Sequence, residues 1–225
     1  MLTVLLEEKM NQGKAISSAV IRRLPKYYRY ITMIENRGIV RISSQNLSEI
    51  TGFTASQIRQ DLNHFGGFGQ QGYGYSVSKL KEQLARIIGL DQKYKMVIAG
   101  AGRMGQAIRY SELFKDSGFE IAALFDADER KIGSDVNGLT VQPIEDLPEY
   151  VKNNNVDILT ITTPKEAAQE LADLAVEAGV KGVWNFAPVD INLPEGVVLE
   201  NVHLDESLYT LIYYIGNIND YKGTK

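Results

Sequence analysis

One stretch of the chain, MVIAGAGRMGQAI at residues 96–108, restricts the possible folds more than any other. Its apolar run breaks at Gly100, Gly102 and Gly105, and helix-forming residues follow. This spacing matches the G-x-G-x-x-G pattern, whose glycines permit a tight turn, close approach of a pyrophosphate and close packing of a helix. We therefore predict a strand, a glycine turn and a helix start that together hold a dinucleotide.

An acidic residue at the end of the next predicted strand indicates which dinucleotide is bound. EIAALFDAD, residues 120–128, places Asp126 twenty-one residues after Gly105. A carboxylate there accepts hydrogen bonds from the hydroxyls of the adenosine ribose. Its charge repels a 2′-phosphate, so we expect NAD(H) rather than NADP(H). Arg130 and Lys131 lie close by in sequence and weaken that preference.

Two further strand patterns extend a doubly wound, mostly parallel Rossmann sheet. VDILTITTP and VKGVWNFAPVD are separated by an amphipathic helix. Ligands of such sheets bind beyond the carboxyl ends of the strands. Trp184 fits a buried position better than the wall of the site. The predicted cofactor site comprises Gly100, Gly102, Arg103, Met104, Gly105, Asp126, Lys131, Thr162, Thr163, Pro164, Asn185, Phe186 and Ala187.

The first ninety residues have the pattern of a small helical domain. Residues 17–35 space their apolar side chains by three and four, as on one face of a helix. Pro25 removes a helical hydrogen bond, so the sequence predicts either two short helices or one helix broken near Leu24. The predicted apolar face comprises Val20, Ile21, Leu24, Tyr28, Ile31 and Ile34.

Residues 41–65 have the order of a helix-turn-helix motif. Ser43 or Ser44 can cap a short helix, Gly52 ends it, and Thr54 caps a second helix that runs to about residue 65. Ile58 and Leu62 mark the buried face of that second helix. Its other faces carry side chains of the types that contact bases and phosphates in a major groove. These are Ser56, Gln57, Arg59, Gln60 and Asn63.

The glycine-rich segment GGFGQQGYGYSV, residues 66–77, has two interpretations. By itself it is consistent with a flexible linker. Its position directly after a recognition-type helix favours a two-stranded wing, with Gly72 near the tip and with Tyr73 and Tyr75 holding the wing to the body. A further helix that ends at Gly89 then connects the two halves.

The net charge of −4 hides a division between the halves. Residues 1–90 carry twelve Lys and Arg against six Asp and Glu, whereas residues 91–225 carry twelve against twenty-two. A basic half on an acidic protein is typical of a nucleic-acid contact, although inert domains can carry the same excess.

The sequence leaves open an NAD-dependent oxidoreductase with a helical accessory domain. Such an enzyme needs an acid or base near the hydride, commonly His, Lys or Tyr. No Tyr-x-x-x-Lys pair follows the nucleotide strands, and His203 is better explained as an exposed or capping residue. Little chain remains for a substrate domain. Because the chain has no cysteine and two histidines, we predict neither a metal site nor a catalytic residue.

The pattern divides the chain into three parts. Residues 1–90 are predicted to form a winged-helix DNA-binding domain with its connecting helix, 91–205 a Rossmann domain, and 206–225 a C-terminal dimerisation helix. That helix is strongly apolar, so it must be buried. It packs on its own domain, or it docks on a second subunit or swaps with the same helix of that subunit. No apolar run approaches the roughly 18 residues that span a bilayer. We expect a cytoplasmic protein without a membrane partner.

Seven stretches resemble, in their order, the Rex family of redox-sensing transcriptional repressors. They are AVIRRLPKYYRY, RISSQNLS, TASQIRQDLNHFGGFGQQGYGY, GAGRMGQA, ALFDAD, KIG and VKGVWNFAP. The similarity extends from about residue 15 to about residue 215. It is specific, because the long run through the recognition helix and wing matches no general fold pattern.

The resemblance implies a homodimer that binds a palindromic operator when NADH is low. The resemblance implies further that NADH binding closes the subunits on each other, so that the two recognition helices no longer match the half-sites. In the family, NAD⁺ competes for the same pocket. It also implies the cofactor site given above. The implied DNA contacts are Arg59 with Ser56 and Gln57, joined by Arg22, Lys26, Tyr27 and the wing near Gly72.

Two positions depart from the family's pattern. Some members have an aspartate where His203 stands, partnering an arginine equivalent to Arg103 in a redox-dependent switch. Here that pair would be Arg103 with His203 or with Asp205. Those members also have an aromatic residue where this chain has Ser111. The sensing contacts are therefore expected to differ, unless Arg103 is simply tolerated at a variable position of the turn.

Overall fold

The computed structural model describes residues 16–66, 69–70, 73–114 and 118–218. The chain forms two compact units, divided between Asp91 and Gln92. Within the described ranges, no helix is both long enough and apolar enough to cross a membrane.

The first unit is a three-helix motif followed by a small antiparallel sheet and a further helix. In the sheet, β3 lies between β1 and β2, with Tyr75 opposite both Ile42 and Gly69. This is the predicted winged helix-turn-helix, with β1 as a third strand. Its elements are α1 Ser18–Asn36, β1 Arg41–Ile42, α2 Ser44–Thr51, α3 Ala55–Asn63, β2 Gly69–Gln70, β3 Gly74–Ser76 and α4 Val77–Ile88.

The first helix is continuous through Pro25, so the predicted break near Leu24 is wrong. A proline within a helix leaves the carbonyl group four residues earlier without its partner. Here that carbonyl group belongs to Ile21, which is exposed, and water can therefore hydrate it. Ile21 was also expected on the apolar face; Tyr27 takes its place in the core.

Side-chain caps set the helix-turn-helix boundaries. The Ser43 hydroxyl accepts a hydrogen bond from the Asn46 amide at the start of α2, and the Thr54 hydroxyl accepts one from the Gln57 amide at the start of α3. Between them Gly52 has a φ of +76°, a left-handed conformation that glycine adopts without strain. Helix α3 ends at Asn63, two residues before its predicted end.

One apolar core joins helices α1 to α4. Tyr75 in the wing is buried in this core, as predicted. Tyr73 is 71% exposed and does not enter the core, but it contacts β1: its carbonyl group accepts a hydrogen bond from Arg41, whose guanidinium lies over the ring. The core comprises Leu24, Tyr27, Ile31, Ile34, Ile42, Leu47, Ile58, Leu62, Tyr75, Val77, Leu80 and Leu84.

The second unit is a seven-stranded sheet in the order β10, β9, β8, β4, β5, β7, β6. All neighbouring strands are parallel except β6 and β7. This is the predicted doubly wound Rossmann sheet. Its elements are β4 Tyr94–Ala99, α5 Arg103–Tyr110, β5 Phe119–Asp126, β6 Asp135–Val136, β7 Leu139–Pro143, α6 Leu147–Asn154, β8 Ile158–Ile161, α7 Lys165–Ala178, β9 Gly182–Asn185, β10 Val198–Asn201 and α8 Leu204–Gly216.

Alternate residues of the central strands face two separate apolar cores. Val97 and Phe125 lie in the core that contains residues of α6 and α7, while Ile98 and Leu124 lie in the core that contains Ile108 of α5. The strand order changes direction where β4 lies between β5 and β8. In such sheets this switch point is where a crevice for ligands opens.

The terminal helix α8 differs from the others because none of its residues is buried in the single chain. Its large apolar residues, with Ile218 just beyond its end, are 41–65% exposed. They are Leu204, Leu208, Tyr209, Leu211, Ile212, Tyr213, Tyr214, Ile215 and Ile218. Packing on its own domain is therefore not how this helix covers its apolar face.

A pair of glycine substitutions tests the packing of the wing. Gly74 and Gly38 have φ values of +69° and +74°, but a Cβ atom at position 74 lies 2.6 Å from the Ile42 carbonyl oxygen, whereas one at position 38 meets nothing within 4 Å. Gly38→Ala should lower the free energy of unfolding by about 1–2 kcal/mol through backbone strain alone. Gly74→Ala should lower the free energy of unfolding, measured by urea denaturation, by more than Gly38→Ala does. Equal losses would contradict the close approach of β3 to Ile42.

Candidate functional site

Two glycines of the turn after β4 are required by packing inside the protein. Gly100 has a φ of +102°, and a Cβ atom there would lie 2.9 Å from the backbone and hydroxyl oxygens of Thr162. A Cβ atom on Gly105 would overlap the carbonyl oxygen of Gly100. These two glycines therefore let α5 start directly against the end of β8.

The third glycine of the turn, Gly102, faces open space instead of the protein interior. A Cβ atom on Gly102 would meet nothing within 4 Å, and its φ of −78° is ordinary for any residue. No side chain caps the start of α5, and Arg103 and Met104 are exposed there. Space beside uncapped helix amides is suited to a phosphate group. The turn therefore fits a dinucleotide pyrophosphate.

Asp126 lies at the end of β5, beside this turn, and is 8% exposed. Its Oδ2 atom accepts hydrogen bonds from the Ala101 amide at 2.8 Å and from Lys131 Nζ at 2.9 Å, and its Oδ1 atom accepts one from the Asp128 amide. Burial raises the pKa of Asp126, but the hydrogen bonds from Lys131 and the two amides outweigh it and lower the pKa overall. Asp126 is therefore ionised and clamps the glycine turn.

The two cations near Asp126 have different partners. Lys131 pairs with Asp126, whereas the exposed Arg130 forms a two-pronged pair with Asp128. The pKa of Asp128 is about 2, chiefly because of that hydrogen bond from Arg130. Lys131 alone thus brings positive charge to the carboxylate expected to meet the ribose.

The three predicted site residues that follow β8 differ in their contacts and their exposure. The Thr162 hydroxyl donates to the carbonyl groups of Ala99 and Gly100, which ties β8 to the glycine turn. The hydroxyl of Thr163 is buried and has no hydrogen-bond partner in the described part of the chain. Pro164 is exposed at the start of α7. The unsatisfied Thr163 hydroxyl at this strand end fits a polar ligand group, since buried polar groups normally have partners.

Asn185, predicted to lie in the cofactor site, is completely buried at the end of β9, and its side chain is used inside the protein. Its amide nitrogen donates to Val189 and Asn201, and its amide oxygen accepts from the Ala187 amide. Asn185 therefore shapes the loop rather than lining it, and Ala187 is buried with it. Phe186 is partly buried and packs edge-to-face on Trp184, with ring centroids 4.5 Å apart.

His203 lies at the start of α8 and pairs with Asp190, with Nε2 and Oδ1 3.2 Å apart. Asn201 donates to the same carboxylate oxygen. In this chain His203 is thus occupied by Asp190, and Arg103 is exposed. His203 was expected to be an exposed or capping residue; it directly precedes α8, but its side chain makes no capping hydrogen bond there.

The outer faces of α3 carry the predicted DNA contacts. Ser56, Arg59, Gln60 and Asn63 are exposed and Gln57 is half-buried. Arg59 Nη1 donates to the Ser44 hydroxyl at 2.8 Å, so its guanidinium is already held in place in the free protein.

The predicted contacts outside α3 have different outcomes. Tyr27 is completely buried and its hydroxyl donates to Asp61, so its prediction as a DNA contact is wrong. Arg22 is exposed, and the Lys26 ammonium lies 4.7 Å from the centroid of the Phe53 ring. Gly72 lies outside the described residues. The side-chain partners of Tyr27 and Arg59 were missed because residue type alone does not show which polar group faces inward.

Asp61 is the largest omission from the predicted site. It is 3% exposed and accepts hydrogen bonds from Arg23 and Tyr27. The sequence carried a signal for it, because Asp61 lies three residues after Ile58 and beside Leu62, on the stripe expected to be apolar. A carboxylate on such a stripe requires a buried partner.

Comparisons with known proteins agree with both halves of this geometry. A family model described as CoA binding domain matches residues 91–189, and one described as Putative DNA-binding protein N-terminus matches residues 15–63. The Redox-sensing transcriptional repressor Rex of Clostridioides difficile (strain 630) is 56% identical over 201 residues, which cover 89% of this chain and 96% of that protein.

This chain belongs to the Rex family. A Rex protein of Caldicellulosiruptor saccharolyticus is 49% identical over 204 residues, covering 91% of this chain and 93% of that one. The resemblance noted in the sequence is therefore confirmed. Because such Rex relatives are repressors, an enzyme is not indicated and the oxidoreductase alternative is not favoured.

Solved structures of the Rex-family repressor RSP share the fold. RSP in complex with β-NAD⁺ and operator DNA is 46% identical with a TM-score of 0.86, covering 92% of this chain and 95% of that one. RSP in complex with β-NADH is 43% identical with a TM-score of 0.86, covering 95% and 100%.

Acid denaturation tests the Asp126 clamp. A carboxylate whose pKa is lowered by folding stabilises the protein above its unfolded pKa, about 3.9 for Asp, and loses that contribution as the pH falls through the folded pKa. Wild type should therefore be more stable than Asp126→Asn at pH 7, and the difference should shrink below about pH 4. Urea denaturation of both proteins at each pH measures it. A pH-independent difference would contradict an ionised Asp126.

Proposed function

We propose that this chain is a cytoplasmic, homodimeric repressor that binds operator DNA when NADH is low and is released when NADH binds. The observation that carries the proposal is the match over nearly the whole chain to RSP, a repressor crystallised with β-NAD⁺ and operator DNA together. These two ligands are those of RSP. Their transfer to this chain is supported by the open turn at Gly102 and by the exposed face of α3.

The cofactor is NAD(H), bound across the carboxyl ends of β4, β5, β8 and β9. Gly102 and the first amides of α5 hold the pyrophosphate, and Asp126 meets the adenosine ribose, with Lys131 beside it. The ends of β8 and β9 offer a polar hydroxyl from Thr163 and an aromatic surface from Phe186 to the nicotinamide. No side chain here is assigned a catalytic step; these groups bind and orient the cofactor.

Operator DNA is read by α3. The residues proposed to contact the DNA are Arg59, Ser56, Gln60 and Asn63, which are exposed, and Gln57, which is half-buried. Arg22 and Lys26 of α1 add positive charge for the phosphate backbone, which contributes affinity without sequence selectivity. The wing provides a further backbone contact, in keeping with its place after the recognition helix.

The second copy of the chain covers α8. A helix with apolar residues on every side is not stable in water by itself, and in the single chain α8 buries none of them. A two-fold dimer also matches a palindromic operator, because each half-site then meets one recognition helix. The release by NADH requires that NADH bind the DNA-free state more tightly than the DNA-bound state.

A titration on DNA tests the proposed function. Genomic fragments retained by the purified protein at fixed salt supply a labelled operator, and fluorescence anisotropy follows its release. NADH should release the DNA at concentrations where NAD⁺ has little effect. Gly102→Val should still bind the operator, since a Cβ atom there meets no protein atom, yet NADH should no longer release it. An equal response to both cofactors, or no selective DNA, would refute the proposal.

A second experiment tests the recognition helix. Arg59→Ala should weaken operator binding roughly 5- to 150-fold, as expected for loss of a bidentate base contact, and should leave NADH affinity unchanged. Arg86→Ala is the matched control, because it removes the same charge from α4, where Arg86 is exposed and pairs with Glu82. Normal operator binding by Arg59→Ala would show that α3 is not the reading helix.

A further inference from the structure

A buried ion pair joins the first helix to the recognition helix. Arg23 Nε and Nη2 donate to Asp61 Oδ2 and Oδ1 at 2.6 and 2.8 Å, and the Tyr27 hydroxyl donates to Oδ2 at 2.7 Å. Asp61 is 3% exposed, whereas the Arg23 side chain retains some contact with solvent. All three hydrogen bonds therefore converge on one carboxylate in the last turn of α3.

We propose that Arg23 and Tyr27 act through Asp61 as positioning residues that fix the rotation of the recognition helix and thereby set its discrimination between operator and other DNA. The inference rests on the proposed function, in that α3 must be the helix that reads DNA. Arg23, Tyr27 and Asp61 themselves touch no base in this assignment.

The geometry of the pair explains why it sets rotation. Ile58 and Leu62 form the rest of the buried face of α3, and their apolar contacts are non-directional. The guanidinium of Arg23 makes two parallel hydrogen bonds, a planar arrangement that permits only a narrow range of orientations. Asp61 is flanked in sequence by Gln60 and close to Asn63, both outward-facing. A fixed Asp61 therefore fixes the direction in which those side chains point.

The same contacts tie α3 to the basic surface of α1. Arg23 and Tyr27 are four residues apart on α1, and Arg22 and Lys26 directly precede them. Tyr27 also packs edge-to-face on Phe53 in the turn between α2 and α3, with centroids 5.4 Å apart. The phosphate-facing cations and the base-reading side chains are thus held in one register by a shared anchor.

Charge neutralisation is a second consequence. A carboxylate in a DNA-reading helix repels phosphates unless a cation compensates it, and Arg23 does so at hydrogen-bond distance. Burial raises the pKa of Asp61, but the hydrogen bonds from Arg23 and Tyr27 outweigh burial and lower it overall. The charged, paired form is therefore the one that meets DNA.

Three variants separate positioning from stability. Arg23→Lys keeps the charge but loses the two-pronged geometry, and Tyr27→Phe keeps the ring but loses one hydrogen bond. The double variant Arg23→Met with Asp61→Leu, made in a Tyr27→Phe background so that no buried hydroxyl loses its acceptor, replaces the buried pair by apolar groups and leaves the net charge unchanged. Such replacements of buried ion pairs are often neutral or stabilising. Arg86→Lys is the matched control, since Arg86 has an exposed pair with Glu82 on α4.

Anisotropy at one salt concentration measures each protein on operator and on a scrambled duplex of the same length. Arg23→Lys should lose about tenfold in operator affinity, a change of about 1.4 kcal/mol, while its affinity for scrambled DNA changes less than about twofold. Tyr27→Phe should lose about threefold. The double variant should unfold at or above the wild-type temperature yet keep the poor discrimination. NADH affinity should be unchanged in all of them.

Several results would overturn the inference. One is that Arg23→Lys and Tyr27→Phe show the same ratio of operator affinity to scrambled-DNA affinity as wild type. Another is that these variants lose the same amount of affinity for both duplexes. Recovery of discrimination together with stability in the double variant would show that the pair is only structural. If wild type itself shows no operator preference, the proposed function fails and this inference with it. If wild type prefers the operator and the variants keep the same preference, only this inference is refuted and the proposed function stands.

Discussion

The absence of side chains at Gly100 and Gly105 is the constraint on which the second unit depends. No Cβ atom fits between Gly105 and the Gly100 carbonyl group, or between Gly100 and Thr162. The helix α5 can therefore begin directly beside the ends of β4 and β8. This close approach leaves the outward space at Gly102, and the Asp126 carboxylate holds the turn through the Ala101 amide.

The first unit solves a similar problem by hydrogen bonding instead of by small residues. Its recognition helix must present polar side chains outward while its inner face packs in the core. Ile58 and Leu62 supply the burial, and Asp61 supplies a directional contact to α1. A buried ion pair is weak evidence for stability, because removing two charges from water offsets much of their attraction. In both units, a backbone or helix position is fixed first and the outward chemistry follows from it.

Local chemistry explains which elements the sequence predicted well. Helix caps at Ser43 and Thr54, the turn at Gly52 and the glycine pattern after β4 depend on neighbours within a few residues, and each was found at its expected place. The misses depend on distant neighbours. Pro25 is tolerated inside α1, where the residue four positions earlier, Ile21, is exposed. The Asn185 side chain points inward, because there it donates hydrogen bonds to Val189 and Asn201.

The sequence by itself determined the two kinds of domain, the helix-turn-helix, the central strands of the sheet and the residues able to face a dinucleotide or DNA, because periodicity, caps and glycine spacing act locally. Only the tertiary structure decided which polar residues are used inside. Tyr27 and Arg59 are both of DNA-contacting type, yet one is buried against Asp61 and the other lies exposed on Ser44. That choice depends on which residues distant in sequence meet in the folded unit, and pattern along the chain does not contain it.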